Sequence, residues 1–193
     1  MTDKKSIRAF LAVEIPPDIK DRIREIQRGL TPLVRDIRWT RPEGIHLTLK
    51  FFGNISNDDI PCISRVIERK TRDTAPIVLQ VKELGVFPGP GRPRVLWIGM
   101  QGEIDRLSRL QGEIESDLQE CGFQREERRF TPHLTLGRAK SQKKMFTSIA
   151  NVLTDKETYH AGQFGVRGLT LFKSDLKPEG AVYTKLVHYA FKD

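Results

Sequence analysis

Cysteine and histidine are scarce in this chain, with two of the first and four of the second among 193 residues. Two cysteines are too few for the disulfide framework of a small secreted fold. Cys62 and Cys121 also lie outside any Cys-x-x-Cys spacing, so a structural zinc site is excluded and both are expected to be buried or incidental thiols. Long apolar runs are missing: nothing approaches the roughly 20 residues of a membrane span. The opening stretch Met1-Thr2-Asp3-Lys4-Lys5-Ser6 leads into a short alternating strand that ends at Glu14, not into the apolar core of a signal peptide, so a cytoplasmic location is expected. A nucleotide-binding P-loop is missing too. Pro88-Gly89-Pro90-Gly91-Arg92-Pro93 is rich in glycine but has no Gly-Lys-Ser/Thr ending and no helix after it, and reads as a turn with basic side chains at the rim of a cleft.

Charge of one sign is in excess. The formal net charge is +8, which favours polyanionic partners, although at 30% charged residues much of it belongs to a solvated, salt-bridged surface. The run Gln124-Arg125-Glu126-Glu127-Arg128-Arg129 reads as such a solvated edge.

Two of the four histidines fall in one repeated pattern. Gly44-Ile45-His46-Leu47-Thr48-Leu49 returns as Pro132-His133-Leu134-Thr135-Leu136-Gly137, so the chain carries His-Leu-Thr-Leu twice. In an extended strand alternate side chains share a face, which places His46 with Thr48 and His133 with Thr135, each opposite an apolar leucine face. One such strand alone would read as half-buried with a polar front; the pair points to chemistry. Two imidazoles titrating near neutrality can serve as general acid and general base on opposite sides of one reacting centre, and two hydroxyls can hydrogen-bond phosphoryl oxygens. Arg138, just beyond the second motif, is a candidate phosphate-binding residue. Neither motif offers a His-Glu-x-x-His pattern or a nearby acidic third ligand, so no metal and no cofactor are expected. His160 and His188 lack the His-x-Thr context and read as structural or surface residues.

On these motifs the chain resembles the two-histidine phosphoesterase superfamily and, within it, the RNA 2',3'-cyclic phosphodiesterases also called 2'-5' RNA ligases. The resemblance extends over Arg8–Val13, Arg41–Leu49, Phe52-Gly53, Gly85-Val86-Phe87-Pro88, Arg94–Trp97 and Phe130–Arg138. It implies hydrolysis of cyclic phosphate ends of RNA, tRNA fragments among them, to 2'-phosphomonoesters. It further implies that His46 is the proton donor to the 3' oxygen, that His133 is the acceptor from water, and that a reverse 2'-5' ligation exists; the motifs by themselves leave the two roles open. Two alternatives are a non-catalytic RNA-binding module and a metal-dependent phosphoesterase.

The remaining pattern supports an α+β fold. Arg8 to Ile15 reads as a central strand with Phe10 and Ala12 on one face. Ile19, Ile23, Ile26 and Leu30 define a helix opened by Pro16-Pro17, and Ser56 opens a second reaching about Arg72. Ile104 to Leu118 form a third, closed by Cys121-Gly122, and a short helix follows around Phe146 to Leu153. Strands are expected at 37–40, at 45–52 ending on Gly53, at 77–87, 95–98, 162–166, 169–172 and 182–187, with a hairpin turn at 177–180. The expected architecture is one domain over 1–193, with two pseudo-symmetric lobes of largely antiparallel sheet around a concave cleft and helices outside; the LigT-like fold implied by the resemblance is the same. The protein is expected to be monomeric.

Overall fold

A computed structural model describes residues 6–140, 142–178 and 180–192, the side chains of 142–147 excepted. Two antiparallel sheets organise it. The first contains β1 (Ile7–Glu14), β3 (His46–Ile55), β8 (Gly168–Lys177) and β9 (Gly180–Ala190) in the order β3-β1-β8-β9. The second contains β2 (Ile37–Trp39), β4 (Ile77–Phe87), β5 (Val95–Gly102), β6 (His133–Ala139) and β7 (His160–Val166) in the order β2-β6-β5-β4-β7. The helices are α1 (Pro17–Leu30), α2 (Ile60–Thr71), α3 (Ile104–Asp117) and α4 (Gln142–Thr154). Of the expected hairpin turn at 177–180, Glu179 lies outside the described residues.

Each helix forms where its ends are specified. Pro17 occupies the first turn of α1, where a missing N–H costs nothing, and Ile19, Ile23 and Leu30 bury its apolar stripe. Ser56 builds a complete capping box with Asp59 ahead of α2. Beyond α3 a short 3-10 turn ends at Gly122, which takes the left-handed conformation at φ 81 that a Cβ would disfavour. The basic end of α2 pairs with α3 and the turn beyond it: Arg69 with Asp117 and Glu120, and Lys70 with Asp117 and Glu113.

β1 is central, as its pattern requires. Ala9, Leu11 and Val13 join the main core, which also takes Leu47 and Leu49 from β3 and Leu134 and Leu136 from β6, so both motif strands are rooted in it by their leucines. Phe10 and Ala12 point the other way, into a small second cluster with Phe172 and Tyr183. Among the described residues no helix is long and apolar enough to cross a membrane.

The expectation of free thiols fails. Cys62 and Cys121 form a disulfide, with Cα atoms 5.9 Å apart. Packing of α2 against α3 brings the start of one helix to the end of the other, a tertiary proximity that a separation of 59 residues conceals. Closing a loop of that length restricts the unfolded chain. Reduction, or Cys62→Ser, is expected to lower the unfolding free energy by about 2–4 kcal/mol. Denaturant unfolding with and without reductant checks this, and coincident transitions would contradict it.

Candidate active site

The two histidine strands carry the same irregularity at the same place. β3 pairs with β1 as Glu14↔His46, Val13↔Leu47 and Ala12↔Thr48; the ladder then passes over Leu49 and resumes as Leu11↔Lys50 and Phe10↔Phe51. β6 pairs with β5 as Gly99↔His133, Ile98↔Leu134 and Trp97↔Thr135, passes over Leu136, and resumes as Leu96↔Gly137 and Val95↔Arg138. An extra residue shifts the alternation of faces by one. Lys50 and Gly137, which strict alternation would set beside the threonines, therefore turn to the core side, while Phe51 and Arg138 turn to the same face as the histidines.

His46 and His133 are held in matching ways. Each imidazole bonds through Nδ1 to the carbonyl oxygen two residues before it, His46 to Gly44 at 2.8 Å and His133 to Thr131 at 2.6 Å. A carbonyl can only accept, so Nδ1 carries the proton in both rings and each Nε2 is left to accept or release a second one. Both rings rest on aromatic neighbours. His46 stacks on Phe10 with centroids 4.5 Å apart and meets Tyr183 edge-on at 5.0 Å, and His133 meets Phe87 edge-on at 4.9 Å. Phe87 in turn packs on Trp97 at 5.1 Å. The segment Gly85-Val86-Phe87 acquires a steric meaning here: a Cβ on Gly85 would come within 2.1 Å of the Trp97 indole, so only glycine leaves room for the ring that supports Phe87.

The two lobes meet at this place. β3 and β6 are in contact. Tyr183, which touches His46, feels the positive charge of Arg138, and so does His133. His46, His133 and Arg138 thus share one neighbourhood. Thr48 and Thr135 lie half-buried on the strand faces of their histidines, and neither hydroxyl has a protein partner among the described residues.

Burial and cationic neighbours favour the neutral form of both imidazoles in the free protein. Desolvation pushes His46 down to about 4, helped by the ammonium of Lys20 and opposed by the hydrogen bond to Gly44. Desolvation also lowers His133, helped by Arg138 and opposed by the bond to Thr131. An anion bound between them would reverse the balance. Among the described residues no group of three or more His, Cys, Asp or Glu gathers in a metal-ligating arrangement.

Other residues join the site without a motif of their own. Beside His46 lies a cavity of about 160 Å³ bordered by Glu14, Lys20, Tyr183 and Lys185. Thr170 donates to Glu14 at 2.8 Å and accepts from Nδ1 of His188 at the same distance, while Lys185 pairs with the other Glu14 oxygen. His188 thus lies in the hydrogen-bond network behind Glu14. Glu14 follows β1 by simple alternation after Phe10 and Ala12 and could have been placed from the sequence; Lys20 and Lys185 could not. Phe51, 62% exposed on the cleft face, owes its position to the bulge and carries no sequence signal.

The duplication seen in the strands extends over the chain. A family model described as LigT-like phosphoesterase matches residues 13–97 and again 98–183, each copy containing one His-Leu-Thr-Leu. The chain belongs to the LigT-like phosphoesterases. An RNA 2',3'-cyclic phosphodiesterase of Methanothermobacter thermautotrophicus is 32% identical to it over 180 residues, covering 93% of this chain and 96% of that one. Another from Thermotoga maritima is 29% identical over 186 residues, covering 96% of each. Among solved structures, a protein of Thermus thermophilus superposes with a TM-score of 0.77 at 27% identity, over 96% of this chain and 98% of that one. Escherichia coli LigT complexed with 3'-AMP superposes with a TM-score of 0.79 at 23% identity, over 98% of this chain and 100% of that one. This LigT-like phosphoesterase therefore has the α+β fold expected of it, with the histidine strand of each repeat contributing to one cleft.

Proposed function

We propose that the protein hydrolyses 2',3'-cyclic phosphate ends of RNA to 2'-phosphomonoesters by acid–base catalysis between His46 and His133, without a metal ion. The observation that carries this reading is the matched pair of Nδ1–carbonyl bonds, which leaves two Nε2 atoms for proton transfer in a neighbourhood that also holds two threonine hydroxyls and Arg138. The names of the relatives from Methanothermobacter and Thermotoga support the substrate class.

The reaction proceeds in line. His133 Nε2 takes a proton from water as its oxygen attacks phosphorus, and His46, protonated on Nε2, gives its proton to the 3' oxygen as the P–O3' bond breaks. Thr48 and Thr135 donate to the non-bridging oxygens, and Arg138 offsets the charge that builds on them. With a 5' hydroxyl in place of water as the attacking group, the same forward step joins two RNA ends through a 2',5' bond, His133 taking the hydroxyl proton and His46 protonating the released 3' oxygen. One chain supplies both histidines, so the two lobes act as one domain and the site is complete in a monomer.

The productive free enzyme has one imidazole protonated and the other neutral, a form most populated midway between the two pKa values. With His46 near 4 and His133 below the ordinary 6.5, kcat/KM is expected to trace a bell with its maximum on the acid side of 6.5. The bound phosphate favours imidazolium, so the kcat profile lies at higher pH than that of kcat/KM. Rates on a cyclic-phosphate oligoribonucleotide across the acid and neutral range, with chelator present, test the proposal; a kcat/KM flat through that range would speak against paired histidines, and activity abolished by the chelator would speak for a metal.

A further inference from the structure

The charge run 124–129 is not a featureless edge. Its residues form no helix or strand, yet its start is fixed from below: Lys50 Nζ donates to the Gln124 carbonyl at 2.8 Å, and Glu115, itself bonded to Lys50 at 2.7 Å, accepts from the Glu126 amide at 3.2 Å. Its end runs through Phe130 and Thr131 into His133. The segment thus leads from behind β3, where the bulge has turned Lys50 inward, to the front of β6. Between its side chains and α3 lies a cavity of about 350 Å³, lined by Arg125, Glu126, Glu127, Arg128, Arg129 and Phe130 over α3.

The charges here are not fully cancelled. Arg125, Arg128 and Arg129 enter no ion pair among the described residues. Glu115 is neutralised by Lys50, and the Glu126 carboxylate is turned back onto the Arg128 amide at 3.3 Å. Three guanidinium groups stand with two carboxylates, Glu126 and Glu127, which leaves the stretch net positive, anchored at its start and leading along the chain toward His133. Guanidinium forks match phosphate oxygens, and a single nucleic-acid strand is held by cationic tracks joined to an aromatic face; Phe130, packed on one side against the main core, lines the cavity with the rest of its ring.

We propose that residues 125–130 bind the sugar-phosphate backbone of single-stranded RNA upstream of its reacting end, so that the protein recognises a strand and not only a terminal nucleotide. This rests on the proposed function for the identity of the strand. An acidic protein segment would satisfy the same charges, but the stretch leads within three residues from Phe130 to His133, which favours a strand whose reacting end is at the histidines.

The test compares the unsubstituted protein with Arg125→Ala/Arg128→Ala/Arg129→Ala and with the corresponding triple lysine variant, in two arms. In the first, fluorescence anisotropy follows binding of a labelled single-stranded RNA about ten nucleotides long, ending in a 2'-phosphate, over a range of salt. The alanine variant is expected to bind roughly tenfold more weakly or worse, with its salt slope reduced by roughly 2 for three lost phosphate contacts, and the lysine variant to recover most of the affinity. In the second arm, turnover of a cyclic mononucleotide is expected to be unchanged. RNA binding with undiminished affinity and slope would overturn the proposal, as would parallel loss of mononucleotide turnover, which would mean that the segment acts by positioning His133. Lack of turnover by the unsubstituted protein would count against the proposed reaction, and the binding arm would still decide this one.

Discussion

Replacing either His46 or His133 with alanine is expected to lower kcat on a cyclic-phosphate RNA end by about a hundred- to ten-thousand-fold while leaving the fold in place. The magnitude is that of one lost proton-transfer group. The fold survives because both rings are half-buried at the cleft surface and the strands are anchored from behind by Leu47, Leu49, Leu134 and Leu136, all in the main core. Because acid and base act in one transition state, the double substitution should cost little more than either single one. Steady-state rates together with thermal unfolding of the same preparations check this. A folded single variant retaining near-full rate would remove that histidine from the mechanism.

Lys50→Met is expected to destabilise the protein by about 3–5 kcal/mol, the cost of leaving a buried carboxylate without its counter-ion. Lys50 and Glu115 side chains are 7% and 4% exposed, and Glu115 also accepts from Gln111 at 3.3 Å and from the Glu126 amide. Replacing both partners, as Lys50→Met/Glu115→Leu, removes the unpaired charge and should restore much of the loss. The pair also anchors the backbone at Gln124 and Glu126, so the single variant is expected to loosen that stretch as well. Equilibrium denaturation of the three proteins decides it; a single variant within about 1 kcal/mol of the parent would show that water reaches Glu115.

How much of this could be read from residues alone follows from the range of the interactions involved. Alternation within a strand is local, so the shared faces of His46 with Thr48 and of Phe10 with Ala12 were legible, and so were helix starts written in Pro17 and Ser56. The bulges at Leu49 and Leu136 were not, because they arise from pairing with β1 and β5 and leave no mark on His-Leu-Thr-Leu itself. They decide three assignments at once. Lys50 goes to the core, Phe51 goes to the cleft face, and Arg138 reaches the cleft face that strict alternation would have denied it. β3 likewise runs to Ile55 and does not stop at Gly53, since a φ of 73 there bends the strand without ending its pairing to β1. The disulfide belongs with these long-range facts: Cys62 and Cys121 meet only because α2 and α3 pack side by side.

In the proposed reaction, two histidines on matching bulged strands open a cyclic phosphate at the bond to the 3' oxygen. The most direct test is to treat an oligoribonucleotide ending in a 2',3'-cyclic phosphate with the purified protein, in the presence of chelator, and to follow the terminal group by phosphorus NMR. A single new resonance from a 2'-phosphomonoester is expected, absent with His46→Ala and with His133→Ala. An unchanged cyclic phosphate would contradict the reaction, and a 3'-phosphomonoester would contradict the assignment of His46 as the group that protonates the 3' oxygen.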